Sequence, residues 1–256
     1  MLDMFQGSQS IYDHYDDLKV SGGLLTDHEF LLEHSSIVLA SSHLLLEAVH
    51  ASRPDALYIP NAVDDEWVAN FKPHNQETPP DDLAKILRLQ KPIVGYSGAL
   101  AEWFDYSLLE ETARHLPNFE FVLLGIDYDG SLQASSILQH ANIHWLGQKK
   151  YTELFHYVWR FDVAIVPFKI NDITLATSPI KLYEYFCCDK PVVSTALPEV
   201  LRYNEVLIAK NSLEFSQQIQ QAYTLATSQE YQQSIRSIAH ANTWKQRVQQ
   251  ITKQLK

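Results

Sequence analysis

The chain has little cysteine, a deficit of positive charge and no long hydrophobic run, and each shortage removes a class of protein. Its two cysteines, Cys187 and Cys188, are adjacent and unsuited to stapling a fold, which fits a reducing compartment. Lys and Arg number 20 against 31 Asp and Glu, a formal charge of −11. Nucleic-acid binders need a basic face toward the phosphate backbone, so no nucleic-acid partner is expected. The most apolar stretch, residues 36–49, is broken by His43 and Glu47 and is too short to span a bilayer. Met1-Leu-Asp-Met-Phe5 lacks the basic start and apolar run of a signal peptide. The expected location is cytoplasmic, with peripheral attachment at the inner membrane face left open.

Several catalytic signatures are missing as well. The sequence has no P-loop and no Gly-x-Ser-x-Gly. His28-Glu-Phe-Leu-Leu-Glu-His34 places its histidines six apart, whereas a helical zinc pair needs four. The 11 histidines show no other ligand spacing. No metal site is expected.

What is present is a core-forming α/β pattern. Hydrophobic residues make up 46% of the 256, enough for one large domain or two modest ones. From Lys91 onward short apolar strands alternate with helical segments through short loops. The strands are read at 93–96, 119–124, 143–145, 163–167, 192–194 and 206–209. Such alternation predicts a doubly wound parallel sheet, with ligands beyond the carboxyl ends of its strands. Residues 1–60 hold only about one and a half strand–helix units, and residues 61–91 read as a polar connection containing Pro73, Pro79 and Pro80. Residues 92–241 form the main unit. Residues 242–256 read as a last helix with an apolar stripe of Trp244, Val248, Ile251 and Leu255.

One stretch organises the rest: Ser178-Pro-Ile-Lys-Leu-Tyr-Glu-Tyr-Phe186, followed by Lys190-Pro-Val-Val193. Ser178 is expected as the N-cap and Pro179 at the first helical position, with Lys181 about third. A cation there opposes the positive end of the helix dipole, a conflict that a bound anion such as phosphate would remove. Glu184 falls one turn on, on the same face. A surface Lys–Glu pair of little consequence is the competing reading.

This stretch resembles the donor-site helix of retaining GT-B glycosyltransferases of family four. Ile59-Pro-Asn-Ala-Val-Asp64, Val94-Gly-Tyr-Ser-Gly-Ala99, Trp145-Leu-Gly147 and Phe161-Asp-Val-Ala-Ile-Val-Pro-Phe168 match in the same order. The resemblance implies a Rossmann-like, donor-binding C-terminal domain. It makes residues 1–60 the remnant of an N-terminal domain most of which is absent, and has the last helix cross back onto it. It implies transfer of a hexosyl unit from a nucleoside diphosphate sugar to an acceptor, a glycan or a lipid-linked molecule, without a metal cofactor. Glu184 would bind the ribose. Ser178, Lys181 and the amides around Pro179 and Ile180 would hold the diphosphate. Ser97 and Gly98 would let backbone approach the donor, and the loop with Gln148 and Lys149 would border the base.

Some positions depart from the family. Ala176 stands where a second glutamate is common, leaving Asp172 or Thr174 as candidate substitutes for contact with the sugar. No Arg or Lys occurs in residues 99–105, and Ala62 and Asp189 occupy positions where glycine is common. Asp127-Tyr-Asp129 resembles the metal-binding motif of GT-A transferases, with a solvated turn closed by Gly130 as the plainer reading. Two alternatives to a transferase stay open: a GT-B-fold epimerase, or a nucleotide- or partner-binding half that is incomplete alone. Self-association or a complementary N-terminal half would supply what such a half lacks.

Overall fold

Parallel pairing of short strands accounts for both sheets of this molecule. The computed structural model describes residues 9–18, 24–69 and 78–255. Met1–Phe5 and Pro73, singled out above, lie outside them.

The first sheet is built from β1 (Ile11–His14), α1 (Leu25–His34), β2 (Ile37–Ala40), α2 (His43–His50) and β3 (Leu57–Tyr58). Its order is β1-β2-β3, with Ile11 opposite Ile37 and Leu39 opposite Leu57. Ser42 caps α2 by accepting from the Leu45 amide at 3.3 Å. Two small cores flank β2: Leu32, Val38, Val49 and Ala56 on one face, and Ile37, Leu39 and Ile59 on the other.

The connection at 61–91 carries α3 (Asp65–Ala69) and α4 (Asp81–Leu87). Val63, Trp67, Leu83 and Ile86 from it are buried in the main core, so this polar-looking stretch is tied to the second unit by its few apolar residues.

The second unit follows as β4 (Ile93–Ser97), α5 (Tyr106–His115), β5 (Glu120–Leu124), α6 (Ser131–Ala134), β6 (Ile143–Trp145), α7 (Tyr151–Val158), β7 (Val163–Val166), α8 (Asp172–Leu175), α9 (Lys181–Cys187), β8 (Val192–Ser194), β9 (Leu207–Ile208), α10 (Ser212–Leu225), α11 (Gln229–Ala241) and α12 (Trp244–Thr252). Its order is β6-β5-β4-β7-β8-β9, all parallel. The chain winds outward one way from β4 and then the other, which is the Rossmann arrangement. β4, β5, β7 and β8 are buried along their whole length, as a sheet covered on both faces requires. In β4, Gly95 is dictated by packing: a Cβ there would stand 2.1 Å from the Phe161 ring. No described helix is long and apolar enough to cross a membrane.

Residues 131–140 form α6 and a separate 3-10 turn at Ile137–Gln139. Ser135 ends α6 by turning its hydroxyl back onto the Leu132 carbonyl at 2.6 Å. The segment from Pro198 is a single turn, closed by the Leu201 amide on the Leu197 carbonyl at 3.0 Å. Of the apolar stripe on α12, only Ile251 packs on the first sheet, while Trp244, Val248 and Leu255 are exposed. The helix nonetheless crosses back, held by Arg247, whose buried guanidinium donates to the Pro60 carbonyl at 3.0 Å.

Candidate functional site

The point where the winding reverses lies between β4 and β7. In open parallel sheets, the crevice beyond the carboxyl ends of these two strands is where ligands bind. There the loops after β4 and β7 meet the entrance of α9 and the loop after β1. They enclose a cleft of about 200 Å³ lined by Tyr96, Trp103, Phe168 and Lys181, with Tyr15 and Asp16 from the first sheet closing it. A larger cavity of about 450 Å³, around Trp159, Asp162 and Lys190, opens beside the amino ends of β7 and β8, away from this crevice.

The α9 entrance differs from expectation in one respect. Ile180, not Ser178, is the residue before the helix, and no side chain caps it. Pro179 and Ile180 form an entry turn by accepting from the Leu182 and Tyr183 amides at 3.1 and 3.0 Å. Ser178 is buried and its hydroxyl is engaged elsewhere, accepting from the Asn61 amide at 3.2 Å. Lys181 is therefore the first helical residue rather than the third, where the dipole conflict is stronger.

Lys181 and Glu184 are no surface pair. Glu184 is only 5% exposed, and burial pushes its carboxyl up to about 7 against the opposing effects of Lys181 and of a hydrogen bond from Tyr151. Lys181 threads between aromatic rings, its ammonium 4.9 Å from the centre of Phe168 and 5.7 Å from that of Tyr96. Burial lowers its pKa to about 8, with Glu184 pulling the other way. The burial of both charges is costly to the free protein, as expected of groups kept for a ligand rather than for stability.

Gly98 serves this arrangement directly. It has φ of +144°, and a Cβ on it would sit 2.9 Å from Lys181 Cε, so the missing side chain is the space Lys181 passes through. Gly125, with φ of +146°, leaves room for the Gly98 carbonyl, which a Cβ would approach to 1.8 Å. Ser97 is buried, and its amide donates to the Tyr185 hydroxyl at 2.8 Å, fixing the end of β4 onto α9.

The remaining candidates divide. Gln148 stays exposed next to Gly147, whereas Lys149 turns away to pair with Asp82 at 2.6 Å. Thr174 is buried, and its hydroxyl is committed to its own loop, donating to the Lys169 carbonyl and accepting from the Asn171 amide at 3.0 Å. Asp172 is exposed at the start of α8. Ala176 packs against Ala40 and Leu45 of the first sheet, so that position has become an interdomain contact. Tyr15, Asp16 and Asn61 reach the site from outside the main unit. Only Asn61 had a signal in the sequence, through its place in the Ile59–Asp64 motif.

The Asp127–Asp129 turn is occupied by the protein itself. Asp127 accepts from the Leu132 and Gln133 amides at 3.2 and 3.1 Å, and Asp129 from Ser131 and Glu102 at 3.0 and 2.8 Å. Gly130 closes the turn with φ of +81°. Among the described residues, no group of three or more His, Cys, Asp or Glu is placed to hold a metal ion.

The chain as a whole is similar to known proteins. Residues 91–224 match the family model described as glycosyl transferases group 1. TuaH of Bacillus subtilis, a protein assigned to teichuronic acid biosynthesis as a glycosyltransferase, is 26% identical over 167 residues. That match takes in 63% of this chain and 42% of TuaH, so the chain spans less than half the length of this relative. HepE from Anabaena, solved in complex with UDP and glucose, superposes with a TM-score of 0.68 at 17% identity, covering 99% of this chain and 73% of HepE. A glycosyltransferase from Rickettsia africae superposes with a TM-score of 0.72 at 13% identity, covering 98% and 71%. The superpositions show the GT-B glycosyltransferase fold, and the match over 91–224 shows that the chain belongs to the glycosyl transferases group 1 family.

Proposed function

We propose that this chain binds a nucleoside diphosphate sugar and supplies the donor side of a retaining hexosyl transfer to a glycan or lipid-linked acceptor. The observation that carries the reading is the pairing of buried Glu184 with half-buried, cleft-lining Lys181 on one turn of α9 at the β4/β7 crevice. Glu184 accepts the ribose hydroxyls as a carboxylate. Lys181 neutralises the diphosphate that departs when the bond between the sugar's anomeric carbon and the β-phosphate oxygen breaks. Held ready where negative charge develops, such a cation lowers the barrier without a proton transfer. The binding of UDP by HepE, and of UDP-2-fluoro glucose in an E. coli structure of this fold, supports uridine as the first base to test. A metal is not needed in this scheme, since Asp127 and Asp129 already bind backbone amides.

Calorimetry with UDP and GDP on wild type, Lys181→Glu and Glu184→Ala tests it. Wild type should bind one of the two in EDTA, and each variant should lose tenfold or more. Equal affinity in all three removes the assignment, and binding abolished by EDTA moves the phosphate clamp to a metal. Release of UDP from its sugar only when acceptor is added identifies a transferase. Release without acceptor identifies an epimerase or hydrolase.

A further inference from the structure

The chain carries an excess of acid, and several of its arginines are paired with it: Arg53 with Asp55, Arg114 with Glu110 and Arg236 with Asp189. Arg202 and Arg247 differ. Among the described residues neither is paired with a carboxylate, yet both line one cavity of about 280 Å³ with Tyr58, Tyr203 and Gln250. The cavity lies where the exit of β3, the turn after β8 and α12 meet, and it shares no lining residue with the donor cleft.

Arg247 is 5% exposed, so its charge has lost its water and depends on the groups around it. Nε donates to the Pro60 carbonyl at 3.0 Å and Nη2 to Asn242 Oδ1. Nη1 has no acceptor among the described residues and is not one of the sealed polar atoms, so it opens on the cavity that its side chain lines. Its two N–H groups are left for a ligand. Arg202 supplies a second guanidinium, 5.6 Å from the centre of the Tyr58 ring. A ring contact of this kind holds a guanidinium without using its N–H groups. Glu199 acts on Tyr203 along with both arginines, but its carboxylate already accepts from the His43 amide and the Tyr58 hydroxyl.

We propose that this cavity is an oxyanion site, which takes free phosphate or the phosphate of a small monoester between Arg202 and Arg247. Two guanidinium groups and the neutral Gln250 amide are the donors that suit several acceptor oxygens on one phosphorus. Arg247 is tied to Pro60 at the edge of the first sheet, and Arg202 stands in the turn after β8. A bound anion therefore also links the two units. The site is independent of the donor-site reading.

Thermal unfolding in rising inorganic phosphate or glycerol 3-phosphate, at constant ionic strength and neutral pH, tests it. A ligand that binds only the folded chain raises Tm with its concentration. Wild type should show a saturable rise. Lys181→Met, which takes the donor cleft's cation away, should keep the rise with an affinity within about twofold. Arg202→Ala added to Lys181→Met should weaken binding about tenfold or more, the loss of a charge-assisted hydrogen bond. Arg247→Gln on the same background should do likewise. If that variant does not fold for want of the Pro60 tie, the exposed Arg202 still decides the matter. Tighter binding of glycerol 3-phosphate assigns the site to a monoester, and equal binding assigns it to free phosphate. A wild type with no saturable rise, a rise lost in Lys181→Met, or a rise untouched by Arg202→Ala overturns the inference.

Discussion

Lys181 and Glu184 are one helical turn apart, and burial moves their pKa values toward each other, the base down to about 8 and the acid up to about 7. In the proposed donor site, nucleotide binding draws on the carboxylate and the ammonium together. Affinity for UDP should therefore rise with pH through about 7, fall again above about 8, and lose its acid limb in Glu184→Gln. Calorimetry between pH 5.5 and 9.5 checks this, and a flat profile would detach both residues from the ligand. Stability runs the other way on the acid side. A carboxyl raised above its unfolded value is retained protonated longer by the native state, so its contribution is present at low pH and lost between about 4.5 and 7. Glu184→Gln should thus be more stable than wild type by up to about 3 kcal/mol between pH 7 and 8, and equal to it below pH 4, in urea titrations. This pair was legible in the sequence because a lysine in a first helical turn contradicts local electrostatics. Tyr15 and Asp16 were not, since a tyrosine beside acidic residues carries no sign of the cleft it will line. The partner of Lys149 was not legible either: Asp82, 67 residues away, lies 2.6 Å from its ammonium.

Elements entered the sequence as periodicities, and those were largely readable, while their ends were not. The strands of the second sheet fall within a residue or two of expectation, because runs such as Val163–Val166 are buried on both faces and must be continuously apolar. The α9 entrance failed because Ser178 and Pro179 form a good local start, and the tertiary bond from Asn61 then took the serine hydroxyl. Gly98 was read as a place of close approach to a donor, and inside the free protein the group that approaches it is Lys181. Gly125→Ala should therefore cost about 2–5 kcal/mol, combining strain at φ of +146° with a Cβ 1.8 Å from the Gly98 carbonyl, and should weaken nucleotide binding by displacing Gly98 against Lys181. The α6 entrance offers the control. Asp127→Ala removes the acceptor for the Leu132 and Gln133 amides and should cost about 1 kcal/mol. Nucleotide affinity should stay unchanged, with or without divalent cation. A fall in affinity there, reversed by added cation in wild type only, would give the acidic turn a metal role after all.

At the scale of the whole molecule, two sheets with separate cores are joined through few contacts. Ala176 meets Ala40 and Leu45, Arg247 reaches Pro60, and Glu199, in the turn after β8, accepts from three groups of the first sheet. These are the His43 amide at 2.6 Å, His43 Nδ1 at 3.1 Å and the Tyr58 hydroxyl at 2.5 Å. Glu199 is only 5% exposed, so its carboxylate has lost its water and depends on these partners. The sequence showed where the units divide but not this tie, because Glu199 lies 141 and 156 residues from its partners and follows no helical or strand period. Removing it leaves the Tyr58 hydroxyl and the His43 amide without an acceptor, and Glu199→Ala should cost about 2–4 kcal/mol. The loss should appear as uncoupling rather than uniform weakening. The first sheet holds no tryptophan, since the five in the chain are Trp67, Trp103, Trp145, Trp159 and Trp244. Tryptophan fluorescence thus follows mainly the second core, whereas far-UV circular dichroism follows the helices of both. In wild type the two signals should lose structure at the same urea concentration, as a coupled unit does. In Glu199→Ala the dichroism should begin to fall first, with the fluorescence midpoint moving less. Coincident transitions at an unchanged midpoint in the variant would show that Glu199 does not join the sheets, leaving that role to Arg247 and the Ala176 contact.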